Sequence, residues 1–122
     1  MSDFFTDADV ISAYTSEQAT EDGVLFDIRK VNPAWENGIF SHVTVNLMST
    51  CGYFNGDGTL NIPNLLDLLN QSLEIVRKKS NNFKKHDWFF EGEIELPSGS
   101  RGQVFIEQNE TGKYTILLPS DH

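Results

Sequence analysis

The stretch Asn61–Lys79, NIPNLLDLLNQSLEIVRKK, decides how this chain folds. Ile62, Leu65, Leu66, Leu69, Leu73 and Val76 recur at steps of three and four, the spacing that lines side chains along one face of an α-helix. Asn61 is suited to cap the first turn, and Pro63 does no harm there because an amide at a helix N-terminus has no intrahelical partner to lose. Arg77, Lys78 and Lys79 close the last turn, where positive charge complements the helix dipole. The spacing predicts one long amphipathic helix over 61–79, and no other stretch is as well suited to cover a sheet. Leu69 and Leu73 are expected to be buried against that sheet.

The sheet follows the helix in the chain. Ser80-Asn81-Asn82 breaks the helical pattern, and the basic loop Lys84-Lys85-His86 leads into alternating residues from Trp88 to Leu96. Pro97–Ser100 turns, Gln103–Gln108 returns, Asn109–Gly112 turns again, and Lys113–Leu118 closes. Short turns of this composition join antiparallel neighbours, so a three-stranded meander is expected. Trp88, Phe90, Ile94 and Leu96 are expected to face the helix with Val104, Ile106, Tyr114, Ile116 and Leu118. Phe89, Glu91, Glu93, Glu95, Phe105, Glu107 and Leu117 fall on the opposite face.

Before the helix the signals are shorter. Thr15 with Gln18 three residues on forms a capping box, which predicts a short helix over 15–22 stopped at Asp22-Gly23. Tyr14 and Ala19 are expected to pack it to the body, and Val24–Ile28 reads as a short strand. Asn32–Gly38 is a compact turn, with asparagine as cap, proline in the first position and glycine at the stop. Phe40–Leu47 alternates as a strand does, yet Asn46 is also a fit cap for a helix over Leu47–Tyr53. Both readings stay open. Met1–Val10 is an acidic segment with Phe4 and Phe5 embedded, expected to be a loose arm.

The segment ISAYTSEQATEDGVLFD, Ile11–Asp27, resembles the opening of a family of small uncharacterised proteins found in plasmids, phages and scattered prokaryotic genomes. Members open with I-S-x-Y-[ST]-x-x-Q-A-x-x-D-G-V-L-x-D and end on a strand like YTILLP, here Tyr114–Pro119. A leucine-rich helix in the second half also fits. The family has no assigned activity. The resemblance implies a context of mobile DNA, where genes that block host defence cluster.

Composition narrows the function classes. The chain has 122 residues, which is one domain with room for a core that needs neither disulfide nor metal. Its single cysteine, Cys51, excludes an internal disulfide framework and fits a reducing cytoplasm. No apolar run approaches the roughly 20 residues of a membrane span, and the start lacks the basic region of a signal peptide. Eighteen acidic against nine basic side chains give a net charge of −9. Residues 1–28 carry Asp3, Asp7, Asp9, Glu17, Glu21, Asp22 and Asp27 but no Lys or Arg, while Arg77, Lys78, Lys79, Lys84 and Lys85 crowd together. Nucleic acid should repel such a chain unless Arg77–Lys85, with Phe83, Trp88 and Phe89 to stack on bases, overrides the field. A basic helix end is ordinary dipole complementarity, so nucleic-acid binding is disfavoured.

Each chemical constellation has a plainer explanation. Asn55-Gly-Asp-Gly-Thr-Leu-Asn61 resembles the middle of a calcium loop, but with Gly58 at the sharp turn the end positions fall on Tyr53 and Asn64, which are not carboxylates. A glycine-rich turn is expected, and no metal. Cys51 with His42 or His86 lacks a third orienting group, and zinc ligands do not recur at binding spacing. Glu91, Glu93 and Glu95, two residues apart, share one face of one strand, with Glu107 across the sheet. Catalytic acid pairs come more often from different elements around a pocket. A strand that alternates Glu with apolar residues is a solvated face or an acidic strip for a partner, and Phe89, Phe105 and Leu117 beside it favour the partner.

The expectation is therefore an α+β domain with a mostly antiparallel sheet, packed on helix 61–79, with helix 15–22 at one edge. The leading functional reading is a non-enzymatic, cytoplasmic interaction protein without a cofactor. It would come from a mobile element, bind a protein partner with a basic surface through Glu91, Glu93, Glu95, Glu107, Phe89 and Phe105, and in one form inhibit a host defence nuclease. The alternatives are an accessory protein whose acidity serves solubility, and a small enzyme or ligand-binding domain.

Overall fold

A computed structural model describes residues 15–80 and 88–122. The expected acidic arm, Tyr14 and the basic loop with Lys84, Lys85 and His86 lie outside the described residues. In chain order the elements are α1 (Ser16–Glu21), β1 (Leu25–Asp27), β2 (Phe40–Thr44), α2 (Val45–Thr50), α3 (Ile62–Ser80), β3 (Phe89–Glu95), β4 (Arg101–Gln108) and β5 (Tyr114–Leu117). Three short 3₁₀ turns, Ile28–Lys30, Pro33–Asn37 and Pro119–Asp121, join or end them. The five strands form one sheet in the order β1-β2-β5-β4-β3. The pairs β1–β2, β4–β5 and β3–β4 are antiparallel, and β2–β5 is parallel. This is the expected α+β fold, with the meander in place.

Local signals that satisfy orphan backbone groups hold. Thr15 Oγ1 accepts from the Gln18 amide at 3.1 Å and Gln18 Oε1 accepts from the Thr15 amide at 3.0 Å, a complete capping box. Helix α1 ends in a positive-φ turn at Gly23, where the Val24 amide donates back to the Ala19 carbonyl. Asn61 Oδ1 caps α3 by accepting from the Asn64 amide at 3.1 Å. Asn32 Oδ1 accepts from the Ala34 amide, with Pro33 next in the chain, as the turn over 32–38 required.

Helix α3 is rotated relative to the expected stripe. Leu65, Leu68, Leu69 and Ser72 point inward, while Ile62 and Leu66 are about half exposed and Leu73 is half-buried. The apolar stripe is wider than the contact it makes, and the sheet selects the flank that includes Leu68. Under it lie Phe90, Ile94, Val104, Ile106, Ile116 and Val43, with Leu47, Met48 and Tyr53 closing the core from α2 and the segment after it. Each fully buried leucine contributes roughly 1.5–3 kcal/mol through burial. The helix also sits close to the sheet at one point: a Cβ on Gly92 would stand 2.7 Å from Ile75 Cδ1.

Four further expectations change. The strand of Val24–Ile28 shortens to β1, because Asp27 Oδ1 accepts from the Arg29 amide and starts a 3₁₀ turn. The strand of Phe40–Leu47 ends at Thr44, whose Oγ1 accepts from the Leu47 amide and caps α2; the cap is Thr44, not Asn46. Leu117, assigned to the open face, is buried, because the C-terminal turn folds back beside it. Asp121 pins that turn by accepting from Thr44 Oγ1 at 2.7 Å and Asn46 Nδ2 at 3.0 Å. Trp88, assigned to the core, precedes β3 and is 55% exposed.

Candidate functional site

Three places could carry function, and the acidic face is the first. Register sets it. Phe89 pairs with Glu107, Glu91 with Phe105, Glu93 with Gln103 and Glu95 with Arg101, so all eight side chains share the sheet face that α3 does not cover. Glu91, Glu93 and Glu95 are exposed, while Phe89, Phe105 and Glu107 are half-buried. The structure thus brings the six expected site residues onto one surface. Arg101 Nε lies 3.4 Å from Glu93 Oε1, an exposed pair of the kind that contributes little. Gln103 Nε2 lies 3.4 Å from Glu91 Oε1. Among the described residues Glu91 and Glu95 make no ion pair.

An aromatic cluster adjoins the acids. The Phe89 and Phe105 rings meet edge-on at 5.1 Å, and the His122 ring packs on both at 5.5 and 5.3 Å. Trp88 adds a tilted contact to Phe89 at 5.8 Å, and His122 Nε2 lies 3.8 Å from Glu107 Oε2. Aromatic side chains rimmed by charge are the usual anatomy of a protein interface. Trp88 and His122 were missing from the sequence-based set. Trp88 followed the strand alternation into the core, and nothing in a C-terminal histidine signals that it folds back.

The second place is a polar cavity of about 420 Å³ between α1, the Ile28–Lys30 turn and β2, lined by Asp27, Arg29, Lys30, His42 and Glu110 among others. His42 is buried, with Nδ1 2.7 Å from Ser41 Oγ, which in turn accepts from Asn109 Nδ2 at 2.8 Å. The other ring nitrogen, Nε2, lies 3.9 Å from Asp27 Oδ2. Burial pushes the imidazole below its ordinary 6.5 against the pull of Asp27, so it is neutral at neutral pH. Asp27 grips Arg29 through both carboxylate oxygens at 2.9 and 3.0 Å. Burial raises the Asp27 carboxyl, but the bonds from Arg29 outweigh it and hold it below its usual range. Glu110 accepts from the Ser16 amide at 2.9 Å and Ser16 Oγ at 3.1 Å, which ties α1 to the β4–β5 turn. These groups are engaged in holding elements together, which is a structural use of a buried polar network.

The third place is an apolar cleft of about 330 Å³ between the Pro33–Asn37 turn and α3, lined by Trp35, Ile39, Leu66, Leu69 and Leu73. Leu66, turned away from the core, forms part of its wall. Of the remaining sequence candidates, Cys51 and the turn at Asn55–Asn61 lie among the described residues. Cys51 ends α2, and burial followed by Asp121 pushes its thiol up, away from the reactive thiolate. Asp57 Oδ1 accepts from the Thr59 amide and hydroxyl, within a turn closed by the Phe54–Leu60 bridge. Among the described residues no helix is long and apolar enough to cross a membrane. The chain matches no protein-family model, no curated protein and no solved structure.

Proposed function

We propose that this chain is a non-catalytic interaction protein that binds a partner with a basic surface through the β3–β4 face. The observation that carries the reading is the arrangement of Glu91, Glu93 and Glu95 in one exposed row beside Trp88, Phe89, Phe105 and His122, on a sheet face that α3 leaves uncovered. The row provides steering and specificity, and the aromatic cluster provides apolar area for affinity. The resemblance of Ile11–Asp27 to proteins of mobile DNA supports a partner of host origin, a defence nuclease being the kind whose basic surface an acidic face would block.

A second reading, a small-ligand or catalytic site, rests on the cavity at His42. It has less behind it, because Asp27 is engaged by Arg29, His42 by Ser41 and Glu110 by Ser16. The test is affinity capture from the native host with the parent chain and with the variant Glu91→Gln, Glu93→Gln, Glu95→Gln. The variant keeps size and strand structure, so its circular dichroism should match the parent. A basic protein retained by the parent and lost by the variant is the expected result. Equal retention by both chains would leave the acidity as a solubility feature and overturn the proposal.

A further inference from the structure

The strand that carries the acids is also the end of the sheet. Among the described residues β3 pairs with β4 alone. Its pairing parity is fixed at both ends: the Gln108 amide donates to the Trp88 carbonyl at 2.8 Å, and the Leu96 amide donates to the Ser100 carbonyl at 2.8 Å. In an antiparallel ladder the bonded pairs alternate, so Trp88, Phe90, Gly92, Ile94 and Leu96 face β4 with their backbone groups. Phe89, Glu91, Glu93 and Glu95 turn theirs outward. At Glu95 a side chain fills the slot: Gln71 Oε1 accepts from the Glu95 amide at 2.8 Å and Gln71 Nε2 donates to the Glu95 carbonyl at 2.9 Å. An amide group already pairs with this edge as a neighbouring strand would. The outward amides of Phe89, Glu91 and Glu93 have no partner among the described residues, and of their carbonyls only that of Glu93 has a contact, a long one of 3.4 Å from Arg101 Nη2.

We infer that the open edge of β3 takes an extended, basic segment of another protein as a sixth strand, pairing at Phe89, Glu91 and Glu93. Strand addition to an exposed edge uses backbone bonds for affinity and alternate side chains for specificity. Here the alternation is set by the edge. Residues opposite Phe89, Glu91 and Glu93 would project onto the same face as those side chains, so the fitting segment has an apolar residue and then two Lys or Arg, each separated by one residue. The charge row also selects against a second copy of this chain. Antiparallel self-pairing would set one glutamate row against another, and like charges directly opposite destabilise a sheet.

The inference rests on the functional reading above, and one experiment separates their failures. The probe is a capped peptide, Thr-Val-Thr-Lys-Thr-Lys-Thr-Val-Thr, which presents the pattern in either direction, and the same peptide N-methylated at both lysines. The sixth strand is antiparallel, so methylation keeps the charge and removes the two donors that would face β3. With the full chain, the first peptide should slow hydrogen exchange at the amides of Phe89, Glu91 and Glu93, and methylation should weaken binding by about tenfold or more, the loss expected for two backbone hydrogen bonds. If both peptides bind alike and both weaken with Glu91→Gln, Glu93→Gln, Glu95→Gln, strand addition is wrong and the acidic face stands. No binding of either at millimolar peptide overturns strand addition, and equal capture by parent and variant separately overturns the face. Slow exchange at the three amides in the free chain, with dimerisation, overturns the choice of partner.

Discussion

The two edges of the sheet are built differently. β1 has three residues, begins just after the turn that ends α1 and runs directly into a 3₁₀ turn, and the groups around it are held by Thr15, Asp27 and Glu110. β3 has seven residues, three outward backbone slots and a row of exposed carboxylates. Proteins blunt edges by keeping them short, covering them or charging them. β1 is blunted by its length and by α1 packed against it, whereas among the described residues β3 is covered only at Glu95, by Gln71, and otherwise carries charge. Charge of one sign repels copies of the same chain but leaves the edge open to the opposite sign. The covered edge serves the fold, and the open one is where we propose that a partner binds.

The largest expected effect should not distinguish the edges. Leu68→Ala removes a fully buried side chain from the layer beneath the sheet and should cost about 2–5 kcal/mol. Chemical denaturation should show one transition for the whole chain, while Leu66→Ala, on the exposed flank, should change little. Equal costs for the two would mean that the helix is rotated back to the stripe its periodicity suggested.

Gly92→Ala acts at the open edge only. The new Cβ meets Ile75 Cδ1, Cγ1 and Cγ2 within 3.2 Å, and overpacking of this kind costs about 1–3 kcal/mol. The cost should nearly vanish in an Ile75→Ala background, which a double-mutant cycle would read as coupling. Additive costs would show that the close approach of α3 to β3 is not what restricts that position.

Thr15→Ala acts at the covered edge. It removes the acceptor for the Gln18 amide and should cost about 0.5–2 kcal/mol. Amides of α1 should exchange faster while those of β4 and β5 stay protected. If protection falls across all strands, the covered edge is not a local unit.

The smallest effect is the pH response of the covered edge. Burial depresses the His42 pKa below its ordinary 6.5, so the unfolded chain binds the proton more readily than the folded one. The resulting stability is complete above about 6.5 and is lost as pH falls through the lower folded value. Tm should therefore begin to fall before the lowered carboxyls of Asp27 and Glu110 titrate. His42→Gln should flatten that first descent, and an unchanged slope would remove His42 as its cause.

What was legible in the chain was local. The Thr15–Gln18 box, the helix over 61–79, the turns at 97–100 and 109–112 and the shared face of Glu91, Glu93 and Glu95 each depend on neighbours a few residues away. The β2–α2 boundary was ambiguous because Thr44 and Asn46 are both competent caps, and packing of Leu47 and Met48 into the core decides between them. The phase of α3 was missed because Leu66 and Leu68 are equally apolar, so only the sheet can choose. The open edge was hidden for a deeper reason. It follows from the parallel β2–β5 pairing, a contact between residues more than 70 positions apart, which places β3 last in the sheet.

The most direct test of the central claim removes equal charge at the two edges. One variant carries Glu91→Gln, Glu93→Gln and Glu95→Gln on the open strand. The other carries Glu17→Gln, Glu21→Gln and Asp22→Asn on and just after α1, where all three side chains are exposed. Affinity for the proposed basic partner is measured for the parent and both variants across a salt series. The open-edge variant should bind roughly 3- to 100-fold more weakly, the sum of three exposed charge contacts, with a shallower salt dependence, while the α1 variant should bind like the parent. Equal weakening in the two variants would show that net charge alone attracts the partner, and would contradict a site on β3.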